Sequence, residues 1–265
     1  MKVIVITGSS RGIGYGLADA FLALGCKVVI SGRNLENLKI ATQQLSAKYD
    51  PENILAIPSD VTNFEQVENL WQEAKNRFQK VDIWINNAGT TQSRYSIWKQ
   101  KPDVIQKVID TNLTGSVYGA KVAIQGMLKQ NFGAVYFMEG EGSSGTKRPT
   151  LSLYGTTKYA IRYLTEALIK ETKNTPIIIG AISPGIVVTD LLTGQYDESQ
   201  QEAWEKVKNI LTILADKVET VTPWLARKIL TNQKTGVRIA WLTLTKVIWR
   251  FIQAFLGSKR NDIFS

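Results

Sequence analysis

The chain contains no histidine. That absence excludes Ser-His-Asp triads, imidazole general bases and histidine-bound metals. A single cysteine, Cys26, excludes an intrachain disulfide and any cysteine-cluster metal site. No apolar stretch approaches the about 18 uncharged residues that a membrane span requires. The opening MKVIVITGSS runs straight into a glycine-rich turn, so it reads as a buried first strand and not as a signal peptide. Internal repeats, low-complexity tracts and interdomain linkers are also lacking. Chemistry is therefore left to Tyr, Lys, Ser, Asp, Glu or a bound cofactor, and no metal site is expected.

What is present is a globular composition, 44% hydrophobic and 21% charged over 265 residues. This length suits one large α/β domain spanning 1–265. Short β-branched runs are predicted as strands at Val3–Thr7, Lys27–Ser31, Ile54–Pro58, Asp82–Asn86, Ala134–Met138 and Ile177–Ile182. Helical spacing lies between them, at Ile13–Leu24, Leu35–Tyr49, Phe64–Gln79, Asp103–Lys129 and Ser152–Thr172. Strand–helix alternation at this pitch predicts a doubly wound parallel sheet, a Rossmann-like three-layer sandwich. Farther on, Gly194–Ser199 reads as a mobile polar loop and Glu202–Leu214 and Lys217–Leu230 as helices. Val237–Leu242 is predicted as a last strand and Thr243–Leu256 as a last helix.

Thr7-Gly8-Ser9-Ser10-Arg11-Gly12-Ile13-Gly14 falls between the first strand and the first helix. Gly8 permits a tight turn, and Gly12 and Gly14 let backbone N–H groups approach a pyrophosphate at the helix N-terminus. Glycines in a surface turn would be weak evidence; at this junction of a βαβ unit they predict a dinucleotide site. An NAD site usually places a carboxylate about 20 residues beyond the glycines. Here the second strand ends in Ser31-Gly32-Arg33-Asn34, with no acid. Arg33 and Arg11 are expected to clamp a ribose 2′-phosphate. NADP(H) is accordingly preferred, with NAD(H) as the alternative.

Tyr154-Gly155-Thr156-Thr157-Lys158 sets a phenol and an ammonium four residues apart, on one helix face. The ammonium is expected to draw the phenol down from its ordinary value near ~10, towards acid–base work at neutral pH. The spacing recurs at Tyr95–Lys99, so position must decide between the two, and the later pair opens the long helix after the fifth strand.

With these residues in place the chain resembles the short-chain dehydrogenase/reductase family over nearly its whole length. The resemblance rests on TGSSRGIG, Asp60-Val61, Asn86-Asn87-Ala88-Gly89, Asn112, Tyr154 with Lys158, and Pro184-Gly185, in the family's order and spacing. It implies Tyr154 as general acid/base and Lys158 as the group that tunes it and holds the nicotinamide ribose. It implies that Asn112 holds a water in a proton relay and that Asp60 lies by the adenine. Asn87 and Gly89 would lie beside the cofactor, and Ile186 and Thr189 near the nicotinamide amide. A homodimer or homotetramer is the family's usual assembly. The family's serine thirteen residues before the tyrosine is replaced by Glu141, which cannot donate a hydrogen bond unless protonated. Ser143 is expected to supply that hydroxyl instead.

MEGEGSSG, LYGTTKYAIRYLTEALIKE and SPGIVVTDLL are similar to one branch of that family, the chlorophyll(ide) b reductases, over about residues 1–255. That similarity implies a bulky apolar tetrapyrrole as substrate, its formyl group reduced to hydroxymethyl. A general reductase of smaller carbonyls and a non-catalytic NADP-binding scaffold stand as alternatives. No transit peptide is visible, so a cytoplasmic protein, or one peripheral on a thylakoid membrane, is expected.

The net charge is +9, and nine of the basic residues against two acids fall within 216–260. Leu244, Val247, Ile248, Phe251, Phe255 and Leu256 recur at helical spacing, with Lys246, Arg250 and Gln253 off that stripe. The segment at about 237–257 thus reads as a basic amphipathic helix lying on an anionic membrane, or as a core or subunit-interface helix. Nucleic acid is not expected, because the cations are interleaved with large aliphatics and no binding module is present.

Overall fold

The computed structural model describes residues 1–196 and 200–256. Seven parallel strands form one sheet in the order β3-β2-β1-β4-β5-β6-β7. They are β1 (Val3–Ile6), β2 (Lys27–Gly32), β3 (Ile54–Pro58), β4 (Ile83–Asn86), β5 (Gly133–Met138), β6 (Ile177–Ser183) and β7 (Arg238–Ala240). Val3, Ile4, Val5 and Ile6 are all buried, as are Val28, Val29 and Ile30, because helices cover both faces of the sheet. One face carries α1 (Gly12–Ala23), α2 (Leu35–Ser46) and α9 (Val218–Thr231) around Phe21, Leu17 and Leu225. The other carries α3 (Phe64–Phe78), α5 (Gly115–Gln130) and α6 (Ser152–Glu171) around Trp84, Leu70 and Phe137. Each such fully buried side chain contributes about 1.5–3 kcal/mol. Asn34 and Asn63 cap α2 and α3 by accepting from the amides of Asn37 and Gln66.

The long helix predicted over Asp103–Lys129 is divided. It comprises α4 (Pro102–Ile109), a π-helical turn at Asp110–Thr114, and α5. No glycine or proline lies within the π turn, so hydrophobic spacing alone runs through it. The wider turn carries Asn112, whose side chain is drawn out of helical register to bond neighbouring elements. The last strand is shorter than Val237–Leu242 and lies at the sheet edge against β6. A short α7 (Asp190–Thr193) follows β6; α8 (Gln201–Leu214) and α10 (Leu244–Phe255) complete the α-helices among the described residues. Residues 197–199 of the expected polar loop, and 257–265 with Lys259 and Arg260, lie outside the described residues.

The β1/β4 junction is where the strand order reverses. Loops after the strands diverge there and leave a crevice at the carboxyl ends.

Candidate active site

A cleft of about 880 Å³ opens above these strand ends. Gly8, Ser10, Arg11, Gly12, Ile13 and Gly14 line one wall, with Arg33, Asp60, Val61, Asn87, Ala88 and Gly89 beside them. Pro184, Gly185, Ile186 and Thr189 close it from the far side, and Tyr154 and Lys158 form part of its floor. The cradle is a matter of clearance. Gly8 has φ +61°, and a Cβ there would lie 2.7 Å from Ala88 Cα; one on Gly14 would lie 2.4 Å from the Gly8 carbonyl oxygen. The Asn87 amide donates to the carbonyls of Thr7 and Gly8 at 2.8 and 2.9 Å, holding the turn against β4. These glycine-lined N–H groups at the start of α1 fit the pyrophosphate of a dinucleotide.

The two arginines expected to clamp a 2′-phosphate are placed differently. Arg33 is exposed at the end of β2, with no acid beside it in the sequence. Arg11 is instead ion-paired to Asp190 of α7 at 3.0 Å, bridging the two walls. The acid that draws it away is 179 residues distant in sequence, so no local pattern signals the pair. Asp60 accepts from the amide and hydroxyl of Thr62 at 3.0 and 2.9 Å, which fixes the loop after β3.

Tyr154 lies in the first turn of α6 and Lys158 one turn on, both buried. Lys158 Nζ donates to the Met138 carbonyl at 3.0 Å and sits 5.7 Å from the centre of the phenol ring. The expected downward pull on the phenol is not what this geometry produces. Burial pushes the Tyr154 pKa up, and the Glu141 charge pushes it the same way. Burial also draws Lys158 down to about 8, against the opposing charge of Glu139. A desolvated ammonium turned towards a backbone carbonyl does not offset the phenol's own loss of water. The pair thus holds a protonated phenol, the form that donates a proton.

Asn112 is almost fully buried and does not line the cleft. It donates to the Thr90 carbonyl and to Thr157 Oγ1, each at 3.0 Å, and accepts from the Thr90 amide at 2.8 Å. Its own carbonyl accepts from Ser116 Oγ at 2.7 Å. It therefore ties the π turn to α6 and to the loop after β4. Ser143 corrects the sequence expectation. Its hydroxyl accepts from the Gly140 amide at 3.1 Å and donates to the Lys158 carbonyl at 3.2 Å, away from the cleft. Ser144 is the loop serine on the cleft wall. The loop seats this way because two glycines meet: a Cβ on Gly142, at φ +96°, would lie 2.6 Å from Gly155 Cα. Tyr95 and Lys99 lie outside the cleft, on a single 3-10 turn and its approach.

Several cleft contacts carried no sequence signal. Glu139 is paired to Arg238 at 2.7 Å and Glu141 to Arg148 at 2.6 Å. Arg94 donates to Gln195 Oε1 at 3.0 Å, and Leu151, Leu191 and Leu192 add apolar wall. Glu139, Glu141, Arg94 and Leu151 come from loops with no periodic pattern, and Leu191 and Leu192 from the short α7.

The profile of the short chain dehydrogenase family matches residues 2–200. The chain belongs to that family, oxidoreductases that move hydride between a nicotinamide nucleotide and a carbonyl or hydroxyl carbon. It is 32% identical over 268 residues to the chlorophyll(ide) b reductase NOL of Oryza sativa subsp. japonica, covering 97% of this chain and 76% of that protein. It is 28% identical to the probable chlorophyll(ide) b reductase NYC1 of Arabidopsis thaliana, over 97% of this chain but only 54% of that one. It thus spans about half the length of that relative. Among solved structures, serine dehydrogenase complexed with NADP+ superposes with a TM-score of 0.79 at 23% identity, covering 92% of this chain and 95% of the other. At that identity the match speaks to the fold.

Proposed function

We propose that this protein is an NADPH-dependent carbonyl reductase acting on the formyl group of chlorophyll(ide) b or a related tetrapyrrole. The observation that carries the reading is Tyr154, with Lys158 one helical turn on, lining a glycine-cradled cleft. A bound dihydronicotinamide supplies the hydride. Tyr154 gives its proton to the carbonyl oxygen, and Lys158 holds the ribose hydroxyls and returns a proton to the phenol. Ser144 orients the carbonyl, taking the part first expected of Ser143. NADPH is favoured over NADH by Arg33 and by the absence of an acid at the end of β2. The tetrapyrrole reading draws on the names of the plant relatives and on the apolar wall at Leu151, Leu191 and Leu192. NADPH oxidation with chlorophyllide b, run beside simple aldehydes in buffer and in detergent, tests it. Turnover confined to small aldehydes would replace it with a general carbonyl reductase. Cofactor binding without any turnover would leave a scaffold.

An anionic membrane surface is the proposed partner of α10. Leu244, Ile248, Ile252 and Phe255 share one face and are 74%, 51%, 45% and 91% exposed. Lys228 lies over Trp224, Trp224 packs against Trp241, and Lys246 lies over Trp241, forming a row of cations on indole rings nearby. Apolar stripe and adjoining cations are what an interfacial helix offers an anionic bilayer. Arg250, read from the sequence as an interfacial cation, instead turns inward. It pairs with buried Asp216 at 2.7 Å and donates to the Leu214 carbonyl. No described helix is long and apolar enough to cross a membrane. Flotation with phosphatidylglycerol vesicles, lost in Phe255→Ser and in high salt, is the expected result; absence of flotation sinks the partner.

A further inference from the structure

The loop after β5 runs Glu139-Gly140-Glu141, and Gly140 lies against the catalytic phenol, since a Cβ on it would stand 2.4 Å from Tyr154 Oη. The same Cβ would stand 3.2 Å from Lys158 Cε, so the backbone on both sides of Glu139, Met138 and Gly140, abuts the reacting groups. The Glu139 side chain is only 3% exposed. A buried carboxylate needs a partner, and Arg238 of β7 provides one at 2.7 Å. Arg238 is fixed in turn by donating to Ser183 Oγ at 2.9 Å. The carbonyl that receives the Lys158 ammonium belongs to Met138, the residue immediately before Glu139.

We propose that Glu139, clamped by Arg238, is a positioning residue that keeps Lys158 charged in its buried seat. The inference rests on the reading of Lys158 as the group that holds the cofactor ribose. Without a counter-charge, burial would favour a neutral amine. A neutral amine would lose donor strength towards ribose hydroxyls and have no proton to return to Tyr154. Glu139's charge opposes that loss, and Lys158 stands at about 8 with it in place. The charged and titratable groups facing this pair are Tyr154 and Arg162 of α6, Arg238 of β7, and Glu141 with Arg148 from the loop before α6. Glu141 bears on Tyr154, and Glu139 on Lys158. That separates the two carboxylates by target.

The test is the pH dependence of NADPH binding to the full chain, read by nucleotide fluorescence, which needs no carbonyl substrate. Wild-type affinity is expected to fall as pH rises through about 8, and Lys158→Met to abolish that limb. Glu139→Gln should move the limb down by about one pH unit, weakening binding about fivefold at pH 8 and up to about tenfold above it. Glu139→Asp should return it towards wild type, and Glu141→Gln should leave it in place. Thermal melts check that each variant folds. If Glu139→Gln lowers the melting temperature too far, the titration is run at a temperature below its melt, beside wild type at the same temperature. A Glu139→Gln limb at the wild-type pH, or affinity weakened equally at every pH, overturns the inference. Absence of NADPH binding in the wild type instead overturns the reductase reading.

Discussion

The two sides of the cleft are built by different means. On the nucleotide side, Gly8, Gly12 and Gly14 make the site by leaving room for backbone N–H groups, and Asn87 pins the turn from the next strand. On the carbonyl side, the site is made by side chains that reach across the fold. Glu139 meets Arg238, and Asp216 holds Arg250 of α10 while its amide donates to the Ile186 carbonyl at 2.9 Å. The first side is chiefly a property of backbone clearance and the second of long-range charge. Mutations should therefore fail differently on each.

The sharpest break is at the join. Tyr154→Phe is expected to lower kcat by about 10²–10⁴-fold while NADPH affinity stays within about threefold, as steady-state kinetics and fluorescence titration would show. Next, Arg250→Met strands the Asp216 carboxylate and should cost about 3–5 kcal/mol in urea unfolding, with Asp216→Asn/Arg250→Met recovering much of it. That result would show that the carbonyl side is held by charge. On the nucleotide side, Arg33→Glu should reduce the preference for NADPH over NADH about tenfold or more without altering kcat, in a comparison of the two cofactors. The smallest effect distinguishes the loop serines. Ser144→Ala should lower kcat/KM about tenfold at unchanged melting temperature. Ser143→Ala should lower the melting temperature, having lost the Gly140 and Lys158 backbone bonds, by the equivalent of about 1 kcal/mol.

Lys158 adds a test by stability. Its pKa in the fold is below that of the unfolded chain, so between about 8 and the ordinary lysine value near ~10.4 the unfolded state binds more protons. Its contribution to stability therefore rises with pH across that window. Lys158→Met should raise the melting temperature at pH 7 while abolishing turnover, a measurement by differential scanning calorimetry.

Legibility in the sequence follows the same division. The strands of the parallel sheet announce themselves as short apolar runs, and their order of burial matches that pattern. The residues assigned to the nucleotide from the glycine turn, Asp60-Val61, Asn87–Gly89 and Pro184–Thr189 all line one cleft. The π turn at Asp110–Thr114 was hidden, because nothing in its spacing distinguishes it from continuing helix. Ser143 and Ser144 are neighbours of one type, and only the seating of Gly142 on Gly155 decides which of them faces the cleft. Arg238 and Arg250 read as part of a diffuse positive excess and Arg11 as a phosphate ligand, yet each has a specific acid.

From sequence alone came the doubly wound sheet, the dinucleotide cradle and the Tyr154–Lys158 pair. Alternating apolar runs, glycines at a strand–helix turn and a four-residue helical spacing are all short-range properties of the backbone. The tertiary structure decided the ionisation of that pair, the serine that faces the cleft and the partners of the arginines. Those depend on burial and on contacts between residues 99 and 179 positions apart, such as Glu139 with Arg238 and Arg11 with Asp190. Charge interactions act through space, and a linear pattern carries no record of them.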